Sequence, residues 1–136
     1  MVLKVIIDTN FLLIPGRFGV DIFQEIVENA NDQVELITLQ NVVLELENLA
    51  VSGELNQKEK AAAKLGLQLV KQKNLKIEQG SNEHTDNVIL KKALEYQKQG
   101  FNSAIATVDK ELISKATDRN VWVFALRQKK KVLLLK

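Results

Sequence analysis

Two short apolar runs in this chain each stop at an aspartate, and this repeated arrangement limits the fold more than any other feature. The run at 4–7 is rich in β-branched residues and stops at Asp8, and the run at 104–108 stops at Asp109. A carboxylate just beyond the end of a buried parallel strand points into the crevice where open α/β sheets bind ligands. Both aspartates are therefore predicted to lie at one edge of a parallel sheet.

The rest of the chain alternates between strand-like and helical patterns. Strands are predicted at 3–7, 34–39, 75–78, 103–107 and 121–126. The apolar run at 132–135 is either a sixth, edge strand or a segment that packs against a neighbouring subunit. Helical spacing of apolar residues appears in four sets, namely Val20, Phe23, Ile26, Val27 and Ala30; Val42, Leu46, Leu49 and Ala50; Ala61, Ala62, Leu65 and Leu69; and Ile89, Leu90, Ala93 and Leu94. A short fifth helix is predicted over 110–118. This alternation implies parallel pairing through right-handed crossovers and a three-layer α/β/α sandwich with a mostly parallel sheet.

Turn-forming residues mark the expected boundaries. The segment 15–19 contains the one proline and two glycines, and it predicts a loop after the first strand. Ser52-Gly53 predicts a break between two helices, Gly100 predicts a helix end, and Ser81-Asn82 predicts a helix N-cap.

Length predicts one domain over 1–136, and the composition is compatible with a reducing compartment. With 136 residues there is room for one well-filled core, and the absence of cysteine excludes disulfides, zinc-thiolate sites and thiol catalysis. The apolar run at the start reaches Asp8 too soon for a secretory signal or a membrane span. We expect a cytoplasmic protein with no membrane partner.

Basic residues gather in the C-terminal segment 127–136. Five of them fall there although the net charge is only +2, namely Arg127, Lys129, Lys130, Lys131 and Lys136. Such a segment beside an acidic pocket suits a bound polyanion. A solvated tail that aids solubility is the alternative reading of the same charges.

Two further acidic residues are candidates for the same pocket. Asp86 falls on the helical face formed by the apolar residues of 89–94, where a carboxylate must be protonated, paired or bound to a cation. Glu45 and Glu47 lie on opposite flanks of another apolar stripe, and spacing alone does not choose between them. Each acid also has a plainer reading: an N-cap for Asp8 and Asp109, a helix-dipole partner for Asp86, a solvated flank for the glutamates.

Short polar residues adjoin the two strand-end aspartates. Thr9, Asn10 and Thr107 are placed to donate hydrogen bonds that orient these carboxylates, or to serve as ordinary turn residues. His84 is the single histidine and is expected to be exposed, whereas Trp122 within the fifth strand is expected in the core. Gathered together, carboxylates without a histidine cluster or a cysteine predict a site for Mg²⁺ or Mn²⁺.

With these acidic residues in this order, the chain resembles a PIN domain, the small nuclease fold of VapC-type toxins and of ribosomal-RNA processing endonucleases. The family opens with a strand followed by Asp-Thr-Asn or Asp-Thr-Ser, here 8–10, and continues with Val-x-x-Glu-Leu, here 42–46, which selects Glu45 over Glu47. Its third acidic residue precedes an isoleucine and matches Asp86. Its fourth lies in Thr-x-Asp-x-x-Leu, here 107–112. All four motifs occur in order over essentially the whole chain, and the basic end looks more like the archaeal and eukaryotic rRNA-processing members.

The resemblance implies a sheet order of 3-2-1-4-5 and a metal-dependent endoribonuclease. It makes Asp8, Glu45, Asp86 and Asp109 both metal ligands and catalytic residues, with Thr9, Asn10 and Thr107 behind them. Water would attack the phosphodiester in line and leave a 5′-phosphate and a 3′-hydroxyl. The phosphate backbone of the RNA is expected to contact five basic residues: Arg17, Arg127, Lys129, Lys130 and Lys131. Further partners would be a second copy of the chain and an antitoxin or a ribosome-assembly factor.

One residue departs from the family pattern, and another argues against a different class of enzyme. The family often has a polar residue where this chain has Val108, which removes one orienting contact beside Asp109. Aspartyl-phosphate enzymes of the haloacid-dehalogenase type need a second aspartate at position 10, where this chain has Asn10. The remaining alternative is a catalytically silent member of the same fold that binds RNA or acts as a scaffold.

Overall fold

The chain forms one six-stranded sheet with helices packed on it. The computed structural model describes residues 2–136, and Met1, where the predicted domain range begins, lies outside the described residues. The strands are β1 (Val2–Ile7), β2 (Gln33–Leu39), β3 (Lys76–Glu78), β4 (Asn102–Ala106), β5 (Trp122–Arg127) and β6 (Lys131–Leu135). Their order is β3-β2-β1-β4-β5-β6, and only the β5–β6 pair is antiparallel. The predicted sandwich, its order 3-2-1-4-5 and the extra edge strand are confirmed.

The register of the central strands puts their carboxyl ends at the same level. Ile7 of β1 pairs with Ala106 of β4, and Ala106 pairs with Phe124 of β5. Because the chain leaves β1 toward β2 on one side and later enters β4 on the other, the strand order reverses between β1 and β4. In open α/β sheets the crevice at such a reversal is where ligands bind.

The helices lie between the strands as the alternating pattern predicts. They are α1 (Thr9–Leu12), α2 (Ile14–Phe18), α3 (Ile22–Asn29), α4 (Gln40–Val51), α5 (Gln57–Gln72), α6 (Thr85–Lys98) and α7 (Lys110–Asp118). The bounds of α7 agree with the predicted 110–118. The predicted break at Ser52-Gly53 and the helix end at Gly100, where φ is 94°, are also confirmed.

The prediction of a loop at 15–19 was wrong, because α2 occupies most of this segment. Pro15 stands in the first turn, where its missing N–H costs nothing, and Gly19 ends the helix with φ of 68°. Gly16 lies so close to α5 that an added Cβ would come within 2.5 Å of Cα of Ala62. The turn-forming residues therefore shape a short helix and its packing rather than an open loop.

Some details of the predicted helices were also wrong. Val27 is 55% exposed because α3 turns Ile22, Phe23 and Ile26 toward the core instead. Ala61 is exposed, since α5 turns a different face, which includes Ala62 and Gly66, toward the core. The predicted N-cap at Ser81-Asn82 is replaced by His84, directly before α6, with no side-chain hydrogen bond to the helix.

The C-terminal residues belong to the sheet rather than to a free tail. Val132 in β6 is 1% exposed, and its N–H donates a 2.7 Å hydrogen bond to Oε1 of Glu25. Its carbonyl accepts a hydrogen bond from Asn29 at 3.1 Å. Both partners belong to α3, so this helix covers part of the outer edge of β6 and limits pairing with another strand there. Over residues 2–136 no helix is both long and apolar enough to cross a membrane.

Candidate active site

A pocket of about 280 Å³ lies at the carboxyl ends of β1 and β4 and is lined by four acidic side chains. They come from four different places: Asp8 follows β1, Glu45 lies on α4, Asp86 lies in the first turn of α6, and Asp109 precedes α7. The fold therefore brings all four sequence candidates to one place. The pocket wall is completed by Thr9, Asn10, Leu13, Arg17, His84 and Thr85.

Asp8 is the most buried of these acids, with 4% of its surface exposed. Its backbone N–H continues the β1–β4 ladder by donating to the carbonyl of Ala106 at 2.9 Å. One carboxylate oxygen accepts the N–H of Thr9 at 2.8 Å, which caps α1. The other accepts the hydroxyl of Thr107 at 2.8 Å. The Asp8 side chain thus both caps α1 and lines the pocket, although the sequence analysis treated these as alternatives.

Burial raises the pKa of Asp8 from 3.8 to about 6. The hydrogen bonds from Thr107 and Thr9 lower this pKa in part, while the negative charges of Asp86 and Glu45 raise it further. A carboxylate with a strongly raised pKa in a cleft is typical of a functional site. The pocket is therefore a place where added positive charge stabilises the ionised acids.

Glu45 is held by two threonine hydroxyl groups. Thr9 Oγ1 donates to one carboxylate oxygen and Thr85 Oγ1 donates to the other at 2.5 Å. Glu47 is exposed and does not line the pocket. Sequence reasoning missed Thr85, and its position directly before Asp86 was the signal that could have identified it. The sequence also predicted that Thr9 orients a strand-end aspartate, whereas the Thr9 hydroxyl contacts Glu45.

Asp86 and Asp109 lie close enough to influence each other. The pKa of Asp86 is raised by its burial and by the charge of Asp109, and His84, whose Nδ1 lies 4.0 Å from an Asp86 oxygen, lowers it in part. Asp109 caps α7 by accepting the N–H groups of Glu111 at 2.9 Å and Leu112 at 3.2 Å. Asp86 therefore lines the pocket from a first helical turn instead of pointing away from it.

Thr107 and Asn10 tie the two strand-end loops together. The Thr107 hydroxyl accepts the N–H of Asp109 at 3.1 Å while it donates to Asp8. Asn10 accepts the N–H of Val108 through its side-chain carbonyl at 3.2 Å. The backbone of Val108 thus makes a contact to Asn10 that does not depend on its apolar side chain.

Arg17 reaches the same pocket from α2 but is paired with a carboxylate of α5. Its guanidinium makes a two-pronged contact with Glu59, with N–O distances of 2.7 and 3.1 Å. Both side chains are about one third exposed. Contact with a phosphate would require Arg17 to share or leave Glu59.

The other predicted basic residues lie on the hairpin between β5 and β6, here called the basic hairpin (127–131). It turns at Gln128 and Lys129, whose φ angles are 53° and 58°, and the N–H of Lys130 donates to the carbonyl of Arg127 at 3.0 Å. The ammonium group of Lys129 lies 5.5 Å from the ring centre of Phe18, next to Arg17 in sequence. The hairpin therefore borders the helix that supplies a wall of the acidic pocket, without lining the pocket itself. Trp122, at the other end of β5, lies 4.7 Å from the Lys136 ammonium group and away from the acids.

The donor set of the pocket suits a hard divalent cation. All four acids offer oxygen, and crowding four carboxylates around one pocket favours a positive ion. In the described part of the chain, no three His, Cys, Asp or Glu side chains form a group compact enough to hold a metal ion. The pocket thus suits a divalent cation by the chemistry of its oxygen donors, and these donors do not form a preformed metal cage.

The chain is similar to known proteins in sequence and in fold. A family model described as PIN like domain matches residues 5–129. Ribonuclease VapC4 of Methanocaldococcus jannaschii is 36% identical over 127 residues, which cover 93% of this chain and 92% of that protein. The structure of the PIN domain endonuclease Utp24 matches with a TM-score of 0.72 at 19% identity and covers 96% of this chain and 90% of its own. A domain of a functionally unknown protein from Methanocaldococcus jannaschii matches with a TM-score of 0.57 at 24% identity, and the match covers 91% of each chain. The likeness to these two structures shows the fold alone.

Proposed function

Because the chain belongs to the PIN-like domain family, we propose that it is a metal-dependent endoribonuclease that hydrolyses phosphodiester bonds in RNA. The observation that carries the proposal is the convergence of Asp8, Glu45, Asp86 and Asp109 on one pocket at the reversal point of the sheet. The identity of 36% to a protein named as a ribonuclease supports the choice of RNA as substrate.

In this proposal the four acids are ligands for Mg²⁺ or Mn²⁺. When bound, the metal would activate water and neutralise charge that develops on the scissile phosphate. Thr107 and Thr9 hold Asp8 and Glu45 in place through their hydroxyl groups, so neither acid needs to be ordered when substrate arrives. The pKa of Asp8 is raised in the protein without metal, and a bound cation would favour the ionised form of this side chain.

The phosphate backbone is proposed to contact Arg17 and the basic hairpin. Such contacts position the strand and do not select its sequence. Lys129 lies against Phe18, and Arg17 lines the pocket, so these cations flank one side of the acids. An RNA strand could therefore run from the hairpin across α2 into the pocket.

The biological setting is either ribosomal-RNA processing or a toxin-type activity. The greater sequence identity is to Ribonuclease VapC4, and the likeness to the Utp24 endonuclease concerns the fold. A second copy, an antitoxin and a ribosome-assembly factor stay predicted partners.

The proposal is tested by cleavage of a labelled single-stranded RNA with and without Mn²⁺. The wild type should cut only with metal, and Asp8→Asn should lose cutting while keeping its fold. Asp118→Asn, an exposed acid at the end of α7, is the matched control and should cut like the wild type. Binding of RNA without cutting by the wild type in Mn²⁺ would overturn the nuclease and favour the silent RNA-binding alternative.

A further inference from the structure

A second cleft of about 360 Å³ adjoins the acidic pocket. Glu45 and Thr85 line both spaces, and the hydrogen bond of 2.5 Å between them forms the shared wall. A strand whose phosphate lies in the acidic pocket would place a neighbouring nucleotide in this cleft. The cleft therefore adjoins any extended strand that is bound in the acidic pocket.

Apart from Glu45 in the shared wall, the lining of this cleft is uncharged and rich in hydrogen-bonding groups, and we call it the amide cleft. Besides the shared wall it is formed by Gln40, Asn41, Leu44, Gln79, Ser81 and Asn82, together with Gly80. These residues include no lysine or arginine. Side-chain amides both donate and accept, which suits the edges of nucleobases, and the cleft has no cation of its own to neutralise a phosphate. Leu44 is 51% exposed and offers an apolar surface to the face of a base.

Two contacts fix the walls of the amide cleft against each other. The side-chain amide of Asn41 on α4 donates to the carbonyl of Ser81 at 2.9 Å. A Cβ on Gly80 would come within 1.4 Å of Oδ1 of Asn41, so the connection before α6 packs directly on that amide. Glycine at position 80 thus allows the 79–84 segment to pack directly against α4.

We propose that the amide cleft binds an unpaired nucleobase next to the scissile phosphate and sets the sequence preference of cleavage. This inference rests on the proposed function. The two flanks of the acidic pocket then have different tasks, because the Arg17 side offers charge to the backbone and the amide side offers neutral groups to a base. Unpaired bases expose the edges that such groups recognise, as in most sequence-specific binding of RNA.

The test compares the double variant Gln79→Ala/Asn82→Ala with wild type on a randomised single-stranded RNA in Mn²⁺, reading the bases that flank each cut. Both residues are exposed, and Gln68→Ala on the exposed side of α5 is the matched control. Wild type and control should share a base preference of roughly fivefold to a hundredfold at one flanking position, the range expected for amide contacts to a base. The double variant should lose most of it. No preference in wild type, or an unchanged preference in the double variant, would overturn the inference.

A binding measurement separates failure of this inference from failure of the proposed function. Asp8→Asn protein, with and without the double substitution, is titrated with short oligo(A), oligo(C) and oligo(U) labelled at one end. The inference predicts affinities that differ between the homopolymers and become similar after the double substitution, even if no RNA is ever cut. Equal affinities before the substitution would overturn it.

Discussion

The hydroxyl group of Thr107 donates a 2.8 Å hydrogen bond to Asp8, so the residue that follows β4 orients the carboxylate that follows β1. The same hydroxyl accepts the N–H of Asp109. One fully buried side chain therefore links the two strand-end acids at the reversal point of the sheet.

Replacing Thr107 by valine should remove both hydrogen bonds while nearly preserving the shape of the side chain. The loss of a buried hydrogen-bonding partner for two groups should reduce the free energy of unfolding by about 1–3 kcal/mol. Cleavage should fall by roughly tenfold to a hundredfold, as is usual when a group that orients a metal ligand is lost. The measurements are thermal unfolding and the rate of RNA cleavage.

Thr107→Ser keeps the hydroxyl and supplies the control for the valine variant. It should restore most of the cleavage rate even if its missing methyl group lowers stability. Equal rates for the serine and valine variants would contradict an orienting role for this hydroxyl.

Asp8→Asn should stabilise the metal-free protein at neutral pH. The pKa of Asp8 is raised in the folded state, from 3.8 to about 6, so the folded protein binds the proton more tightly than the unfolded chain. The stability from this proton is fully present below about pH 4, falls as the pH rises toward 6, and is absent above it. An amide in place of the carboxylate removes a penalty of at most about 3 kcal/mol at pH 8.

The asparagine can keep the neighbouring contacts, since its carbonyl can accept from Thr9 and its NH₂ group can donate to Thr107. Urea unfolding in EDTA at pH 4, 6 and 8 measures the effect. The gain should be largest at pH 8 and small at pH 4, and Asp118→Asn should show no such trend. A destabilised Asp8→Asn protein at pH 8 would show that the carboxylate is needed for structure.

The sequence predicts the fold and the four acids better than it predicts the contacts among them. Apolar runs that stop at an aspartate predict both a strand end and a crevice position, because one physical cause, the edge of a buried sheet, underlies both. Periodicity is less exact about helix faces, since one step around α3 decides whether Val27 or Ile26 is buried. It also leaves Glu45 and Glu47 equivalent, and only the family motif separates them.

The hydroxyl contacts depend on residues far apart in the chain and lie beyond any local pattern. Thr85 reaches Glu45 across 40 positions, and Thr107 reaches Asp8 across 99. Patterns of turn-forming residues are local and cannot predict contacts between residues so far apart in the chain. The helix α2 was missed for a different reason, because proline and glycine have the same signature in a loop and at the two ends of a short helix.

Asp86→Asn should reduce the stabilisation that Mn²⁺ gives to the folded protein. At about one hundred times the dissociation constant, an ion that binds only the folded state adds roughly 2.7 kcal/mol to the free energy of unfolding. The variant should show a smaller rise in melting temperature with Mn²⁺. It should also melt higher than wild type without metal, because burial and Asp109 raise the pKa of Asp86.

Glu47→Gln on the outer flank of α4 is the control for a general effect of removing negative charge. It should respond to Mn²⁺ like the wild type. A wild type whose melting temperature does not move in millimolar Mn²⁺ would contradict the metal proposal.

The basic hairpin should become more stable with residues that suit its turn. Gln128 and Lys129 both have positive φ, a conformation that costs ordinary residues roughly 1–2 kcal/mol each and that Asn-Gly adopts readily. Gln128→Asn/Lys129→Gly should therefore raise the free energy of unfolding by about 1–2 kcal/mol, measured by urea unfolding. Asn74→Gly, at another position of positive φ remote from the hairpin in sequence, should give a smaller gain, since asparagine already tolerates it. An unchanged or lower free energy would show that the turn is not strained.

Neutralising the basic hairpin should weaken RNA binding and reduce its dependence on salt. Deleting the chain after Leu126 is a poor test, because it would remove β6 and the buried Val132. The triple variant Lys129→Gln/Lys130→Gln/Lys131→Gln keeps the strand, and each lost phosphate contact should lower the slope of log affinity against log salt by about 0.7 for a single strand. Affinity is measured with Asp8→Asn protein at several salt concentrations so that no RNA is cut. Lys58→Gln/Lys60→Gln/Lys64→Gln on α5 removes the same charge elsewhere, and an equal loss of slope in that control would show that the hairpin has no special role.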